Sequence, residues 1–113
     1  MITIYHNPRC RKSREGLEIV EKSGKPFNVV KYLDDQLNVA ELKNIIAQLE
    51  INPIDLVRKN EAIWKSEFKG KSLTDAEIVE AMIANPKLIE RPIVVNGNKA
   101  VVGRPPETIN EIL

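Results

Sequence analysis

Cys10 is the only cysteine in the chain, and it sits among Arg9, Arg11, Lys12 and Arg14, four basic residues in a fourteen-residue opening that has no acidic group. Such surroundings favour a thiolate. Arginine, lysine and the N–H groups that open a helix can bring a cysteine pKa from about 8.5 to between roughly 3.5 and 7.5. At pH 7 an unperturbed thiol is only about 3% ionised, and a drop of about two units makes the thiolate the major form at roughly 75%. The chemistry would be nucleophilic attack by sulfur. A buried cysteine serving as a small hydrophobe is the other reading, and flanking by Arg9 and Arg11 argues against it. One cysteine excludes an internal disulfide, a CxxC redox pair and a zinc site built mainly from thiolates. Any further sulfur must come from another molecule.

Ser13 stands where a dithiol oxidoreductase would carry its resolving cysteine. Its hydroxyl cannot form a disulfide but can donate a hydrogen bond to a thiolate or bound oxyanion one turn away, or else it faces solvent. His6, the only histidine, could add charge near the sulfur, act as a base, or hold a turn by hydrogen bonding. Arg58, Arg91 and Arg104 would by composition be solvated charges. Yet only 6 of the 17 basic residues are arginine, the side chain that offers planar, bidentate hydrogen bonds to an oxyanion.

These residues need elements to position them. Residues 2–5 read as a strand, His6-Asn7-Pro8 as a turn that proline closes to further strand, and Arg11 to about Lys22 as a helix with Arg11/Glu15 and Glu18/Lys22 at i, i+4 spacing. Gly24 is the stop, and residues 27–33 alternate as a second strand. Asn38 with Glu41 caps a helix whose apolar face is Val39, Leu42, Ile45, Ile46 and Leu49. Asn52-Pro53 opens a short helix through Ile54 to Val57, with Arg58 at its end, and residues 59–72 form a helical turn and loop around Trp64 and Phe68. Thr74 with Glu77 caps a helix that ends before Pro86. Asn96-Gly97 between apolar runs marks a hairpin, and Pro105 and Glu107 open a last short helix. The expected architecture is α/β: a mixed sheet built from βαβ and then ββα, with a helical insertion between the halves.

At 113 residues the chain is one domain in size, with room for one modest core. Net charge is +1, split as +4 over residues 1–14 and −3 over the rest (13 basic, 16 acidic), which argues against a broad nucleic-acid surface but permits a local anion site. No signal-like segment or apolar run approaching a membrane span is present, so the expected compartment is the cytoplasm.

The run Tyr5-His6-Asn7-Pro8-Arg9-Cys10-Arg11-Lys12-Ser13-Arg14, with Leu56-Val57-Arg58-Lys59, Glu90-Arg91-Pro92-Ile93-Val94-Val95 and Gly103-Arg104-Pro105, resembles the glutaredoxin-dependent arsenate reductase family over the whole chain, its short bacterial members above all. The resemblance implies a thioredoxin-like fold, with residues 1–113 a single domain. It also implies reduction of arsenate to arsenite, with glutathione as co-substrate, glutaredoxin as partner and no bound metal or nucleotide. Carried over by position, Cys10 is the nucleophile, and Arg58, Arg91 and Arg104 bind arsenate and stabilise the covalent intermediate. His6 and Ser13 tune the thiolate, Arg14 belongs with them, and Arg91-Pro92 matches the cis-proline of thioredoxin-like folds. Around the cysteine, Arg9, Arg11 and Lys12 are bulkier and more basic than the small residues of plasmid-type members, and the stretch after Arg104 is shorter. Two other readings share the superfamily: an Spx-like transcription regulator that binds RNA polymerase, which would carry a CxxC where Ser13 stands, and a general glutathione-dependent thiol oxidoreductase.

Overall fold

In the computed structural model, which describes residues 1–113, strand β1 (Ile2–Tyr5) turns Ile2 and Ile4 into the interior and pairs on both sides. It runs parallel to β2 (Phe27–Val30) and antiparallel to β3 (Ile93–Asn96), and β4 (Lys99–Val102) completes the order β2-β1-β3-β4. A parallel pair needs a crossover, and helix α1 (Arg11–Lys22) supplies it. Gly24 takes φ +72° just past the end of α1, a conformation glycine adopts without steric cost.

The chain divides into two compact units, Met1–Asp35 with Arg91–Leu113, and Gln36–Glu90. In the first, Ile2, Ile4, Val20, Val94 and Ile109 are buried together, with Leu17, Phe27, Val101 and Leu113 packed against them. A terminal 3-10 helix, Pro106–Ile112, lies against α1 and β4. Two glycines let this packing close. A Cβ on Gly16 would meet Pro92 Cγ at 2.7 Å, and one on Gly103 would meet the same atom at 2.9 Å.

The second unit is the helical insertion. Helices α2 (Val39–Leu49) and α3 (Asp75–Ala84) both begin with the expected capping boxes, Asn38/Glu41 and Thr74/Glu77, and pack on each other. Leu42, Ile45, Val79 and Met82 are buried in this unit. A 3-10 turn at Pro53–Leu56 leads to an antiparallel bridge between Val57 and Ile89, flanked by hydrogen bonds from Arg58 N–H to Leu88 O (2.7 Å) and from Glu90 N–H to Leu56 O (2.9 Å). Arg58 and Glu90 therefore emerge on one face of a minimal two-stranded ladder.

Two local expectations change, and the helical turn expected around Trp64 and Phe68 takes a definite form. Strand β2 ends at Val30 rather than at residue 33, because Lys31 O accepts the N–H groups of Asp34 and Asp35 in a turn. The hairpin turn is centred on Gly97-Asn98 and not Asn96-Gly97: Asn96 pairs with Lys99, and Gly97 carries the positive φ of 64°. Residues Trp64–Phe68 form a π-helical turn with the two rings stacked at 5.5 Å. No helix is long and apolar enough to cross a membrane.

Candidate active site

The loop from β1 to α1 is tied down before it reaches the cysteine. His6 N–H donates to Val30 O at 2.8 Å, continuing the β1–β2 pairing by one residue, and Cys10 N–H donates to Asn7 O at 3.0 Å. The Asn7 side chain accepts from Arg9 N–H at 3.0 Å, and Arg14 reaches back to Pro8 O at 3.0 Å. Cys10 is thereby the N-cap of α1, in extended conformation, with its carbonyl accepting Arg14 N–H. An Ncap side chain ordinarily satisfies one of the orphan N–H groups of the first turn, and here that position is held by sulfur.

Half-buried, Cys10 is pushed upward in pKa by desolvation, but the N–H of Ser13, a hydrogen bond and the charge of Arg91, and the N–H of Lys12 together outweigh this, so the thiol lies below its ordinary value. Arg104 brings a guanidinium nitrogen to 3.7 Å from the sulfur. Its Nε donates to Arg91 O at 2.9 Å, which couples the two arginines through the main chain. Arg91 Nε is buried and makes no hydrogen bond. The Arg91-Pro92 bond is cis, and so is Arg104-Pro105, for which the sequence had offered no expectation. Gly103 N–H donates to Pro92 O at 2.8 Å and joins the two Arg-Pro segments.

Ser13 is fully buried, and its hydroxyl is engaged away from the sulfur. Oγ accepts Asn7 N–H at 3.0 Å and shares a 2.7 Å hydrogen bond with His6 Nδ1. The part of Ser13 that lowers the pKa of the Cys10 thiol is its backbone N–H, without a side-chain cap hydrogen bond at Cys10. His6 is buried as well. Burial first, then the charges of Lys31 and Arg14, hold its pKa below the usual histidine value against the opposing influence of the Ser13 backbone and Glu21. A neutral imidazole bonded to Ser13 fits the turn-holding role better than a positive charge beside the sulfur.

Arg58 belongs to the second unit. NH1 meets Glu61 at 2.8 Å and Nε meets Glu90 at 3.2 Å. Sequence reasoning passed over Glu61 and Glu90, and also the anchoring function of Asn7. The i, i+3 spacing of Arg58 and Glu61 was a visible signal; the pairing with Glu90 was not, since it depends on the ladder. No group of three or more His, Cys, Asp or Glu side chains is placed to hold a metal ion.

A four-stranded mixed sheet in which an inner strand leads into a helix with a cysteine at its N-cap defines a thioredoxin-like protein. More narrowly, the chain belongs to the ArsC family, whose family model matches residues 5–112. It is 43% identical to an arsenate reductase of Haemophilus influenzae, covering 99% of this chain and 98% of that one. An arsenate reductase of Escherichia coli K12 is 39% identical over 99% of this chain and 80% of its own longer one. The solved structure of an arsenate reductase from Vibrio cholerae superposes with a TM-score of 0.94 at 46% identity, covering 99% of this chain and 97% of that one.

Proposed function

We propose that residues 1–113 act as a single arsenate reductase domain that converts arsenate to arsenite in the cytoplasm, with glutathione and a glutaredoxin supplying the electrons. The observation that carries this reading is the surroundings of Cys10: a thiol held below its ordinary pKa by helix N–H groups and Arg91, with Arg104 at 3.7 Å and a buried Arg91 Nε–H that has no acceptor. An unsatisfied buried donor costs about 1–3 kcal/mol, and an oxyanion oxygen would satisfy it. The arrangement suits an anion that must sit against sulfur.

In this mechanism the Cys10 thiolate attacks arsenic and displaces one oxygen as hydroxide, forming a sulfur–arsenic(V) bond. Arg91, Arg104 and the first-turn N–H groups meet the charge on the remaining oxygens, and Arg58 is included as the third guanidinium on the family resemblance. A glutathione thiolate then attacks the Cys10 sulfur. The sulfur–arsenic bond breaks, its electron pair stays on arsenic, arsenite leaves, and Cys10 is left as a mixed disulfide. A glutaredoxin thiolate takes the glutathionyl group and releases the Cys10 thiolate. Overall, arsenate and two external thiols give arsenite, one disulfide and water. His6, Ser13, Arg14 and Pro92 position the loop and the two Arg-Pro segments; none is assigned a step in proton transfer.

The test is arsenate-dependent NADPH oxidation with glutathione, glutaredoxin and glutathione reductase. Turnover should be present in the native chain and absent in Cys10→Ser. Undiminished turnover in that variant would remove Cys10 from the mechanism, and reduction of glutathionylated proteins without arsenate turnover would replace the reading with a general thiol oxidoreductase.

A further inference from the structure

We infer that Glu61 and Glu90 are positioning residues for Arg58: two carboxylates that grip its guanidinium from two sides and fix the plane it presents to an oxyanion. The inference rests on the reading above for the role of Arg58, and on the geometry of the second unit for the rest.

Arginine side chains are long and rotamer-rich, so a lone surface arginine presents no fixed plane. Arg58 is restrained at every level. Its backbone N–H is bonded to Leu88 O in the ladder, and the ladder places it on the same face as Glu90. The next turn is closed by Glu61 N–H donating to Arg58 O at 3.1 Å, which brings the Glu61 carboxylate back over the guanidinium. The result is a bond to NH1 at 2.8 Å and a contact with Nε at 3.2 Å, from two carboxylates on two different segments. The three side chains are only 24%, 30% and 25% exposed, so these contacts are less screened than those of Arg11 with Glu15, where Arg11 is 82% exposed.

A guanidinium has five N–H donors, so one hydrogen bond to Glu61 and one ion-pair contact with Glu90 leave donors for a third acceptor. The trio carries a net charge of one negative, which makes this corner a poor general anion trap and a good holder of orientation. Arg58 would then select by direction: an oxyanion must approach along the donors that the two carboxylates leave over. Arg91 and Arg104 are held differently, by contact with Cys10 and by a main-chain carbonyl.

The experiment measures the arsenate concentration that half-protects Cys10 from iodoacetamide, alongside arsenate turnover, in the native chain, Glu61→Ala, Glu61→Gln, Glu90→Ala, and the alanine variants combined with Arg58→Ala. Each single alanine should raise the half-protecting concentration roughly three- to tenfold, the scale of one lost hydrogen bond. Glu61→Gln, which keeps an acceptor in place, should stay near the native value. In the Arg58→Ala background the effect of either alanine should vanish, as the coupling of a shared partner requires. In turnover, KM should carry the change while kcat stays within about twofold. Native protection in both alanine variants, or an undiminished effect without Arg58, would overturn the inference, as would Glu61→Gln behaving like Glu61→Ala. Protection without turnover in the native chain would sink the reductase reading and leave the clamp standing.

Discussion

Gly16 and Pro92 touch with no room for a side chain between them: a Cβ on Gly16 would lie 2.7 Å from Pro92 Cγ and 3.0 Å from Ile109 Cδ1. In an ordinary helix, glycine to alanine stabilises by about 0.5–1 kcal/mol. Here the added methyl must displace the ring that follows Arg91 or the Ile109 side chain of the chain's last helix. Gly16→Ala should therefore destabilise by about 1–3 kcal/mol, the usual cost of overpacking. A urea midpoint equal to or above the native one would show that the contact yields easily.

Ser13→Ala should also destabilise, for a different reason. It strips a partner from the buried His6 Nδ1 and from Asn7 N–H, a loss of about 1–3 kcal/mol for each group left unsatisfied. Because the sulfur is met by the Ser13 backbone and not its hydroxyl, the alkylation profile of Cys10 should move little. A large upward move of that profile in a folded Ser13→Ala chain would mean that the hydroxyl reaches the thiolate after all.

Cys10 alkylation followed against pH should titrate below an ordinary thiol, and Arg91→Ala should move the midpoint up, since Arg91 contributes both a hydrogen bond and charge. The linkage has the same sign. A thiol whose folded pKa is depressed adds stability above its unfolded value of about 8.5, and that contribution disappears as pH falls through the folded value. An Arg91→Ala midpoint identical to the native one would place the source of the shift elsewhere in the loop.

His6 gives a second pH signature at lower values. Its folded pKa is lowered, chiefly by burial, so below about 6.5 the unfolded chain takes up a proton that the folded chain refuses. Stability from this residue is complete above that pH and declines as pH falls towards the folded value. His6→Asn, which retains a polar group near Ser13 Oγ, should flatten the dependence of the denaturation midpoint on pH as pH falls below about 6.5. An unchanged slope would assign it to other groups.

What could be read from sequence divides by the range of the interaction that decides it. Asn38/Glu41 and Thr74/Glu77 are capping boxes closed within four residues, and both form as expected. Cys10 at the head of a helix was legible because Pro8 and the basic run limit what residues 6–14 can do. Range is not the whole account: the π-helical turn at Trp64 was left open, and the length of β2 and the register of the hairpin turn were misplaced although both are decided locally, by the turn at Lys31 and by the pairing of Asn96 with Lys99. The same division holds at the site. Residue type singled out the arginines, but the hydroxyl of Ser13 found His6 across seven positions and Arg58 found Glu90 across a ladder, which no local pattern encodes.

Because β1 is paired on both sides and His6 extends its parallel ladder, the segment that delivers Cys10 is anchored along both edges. Amides held this way exchange with solvent mainly when the whole unit opens. The Cys10 thiol should therefore keep its lowered titration point under mild denaturant until the sheet itself is lost. Its alkylation would then report the opening of this unit and not loop motion.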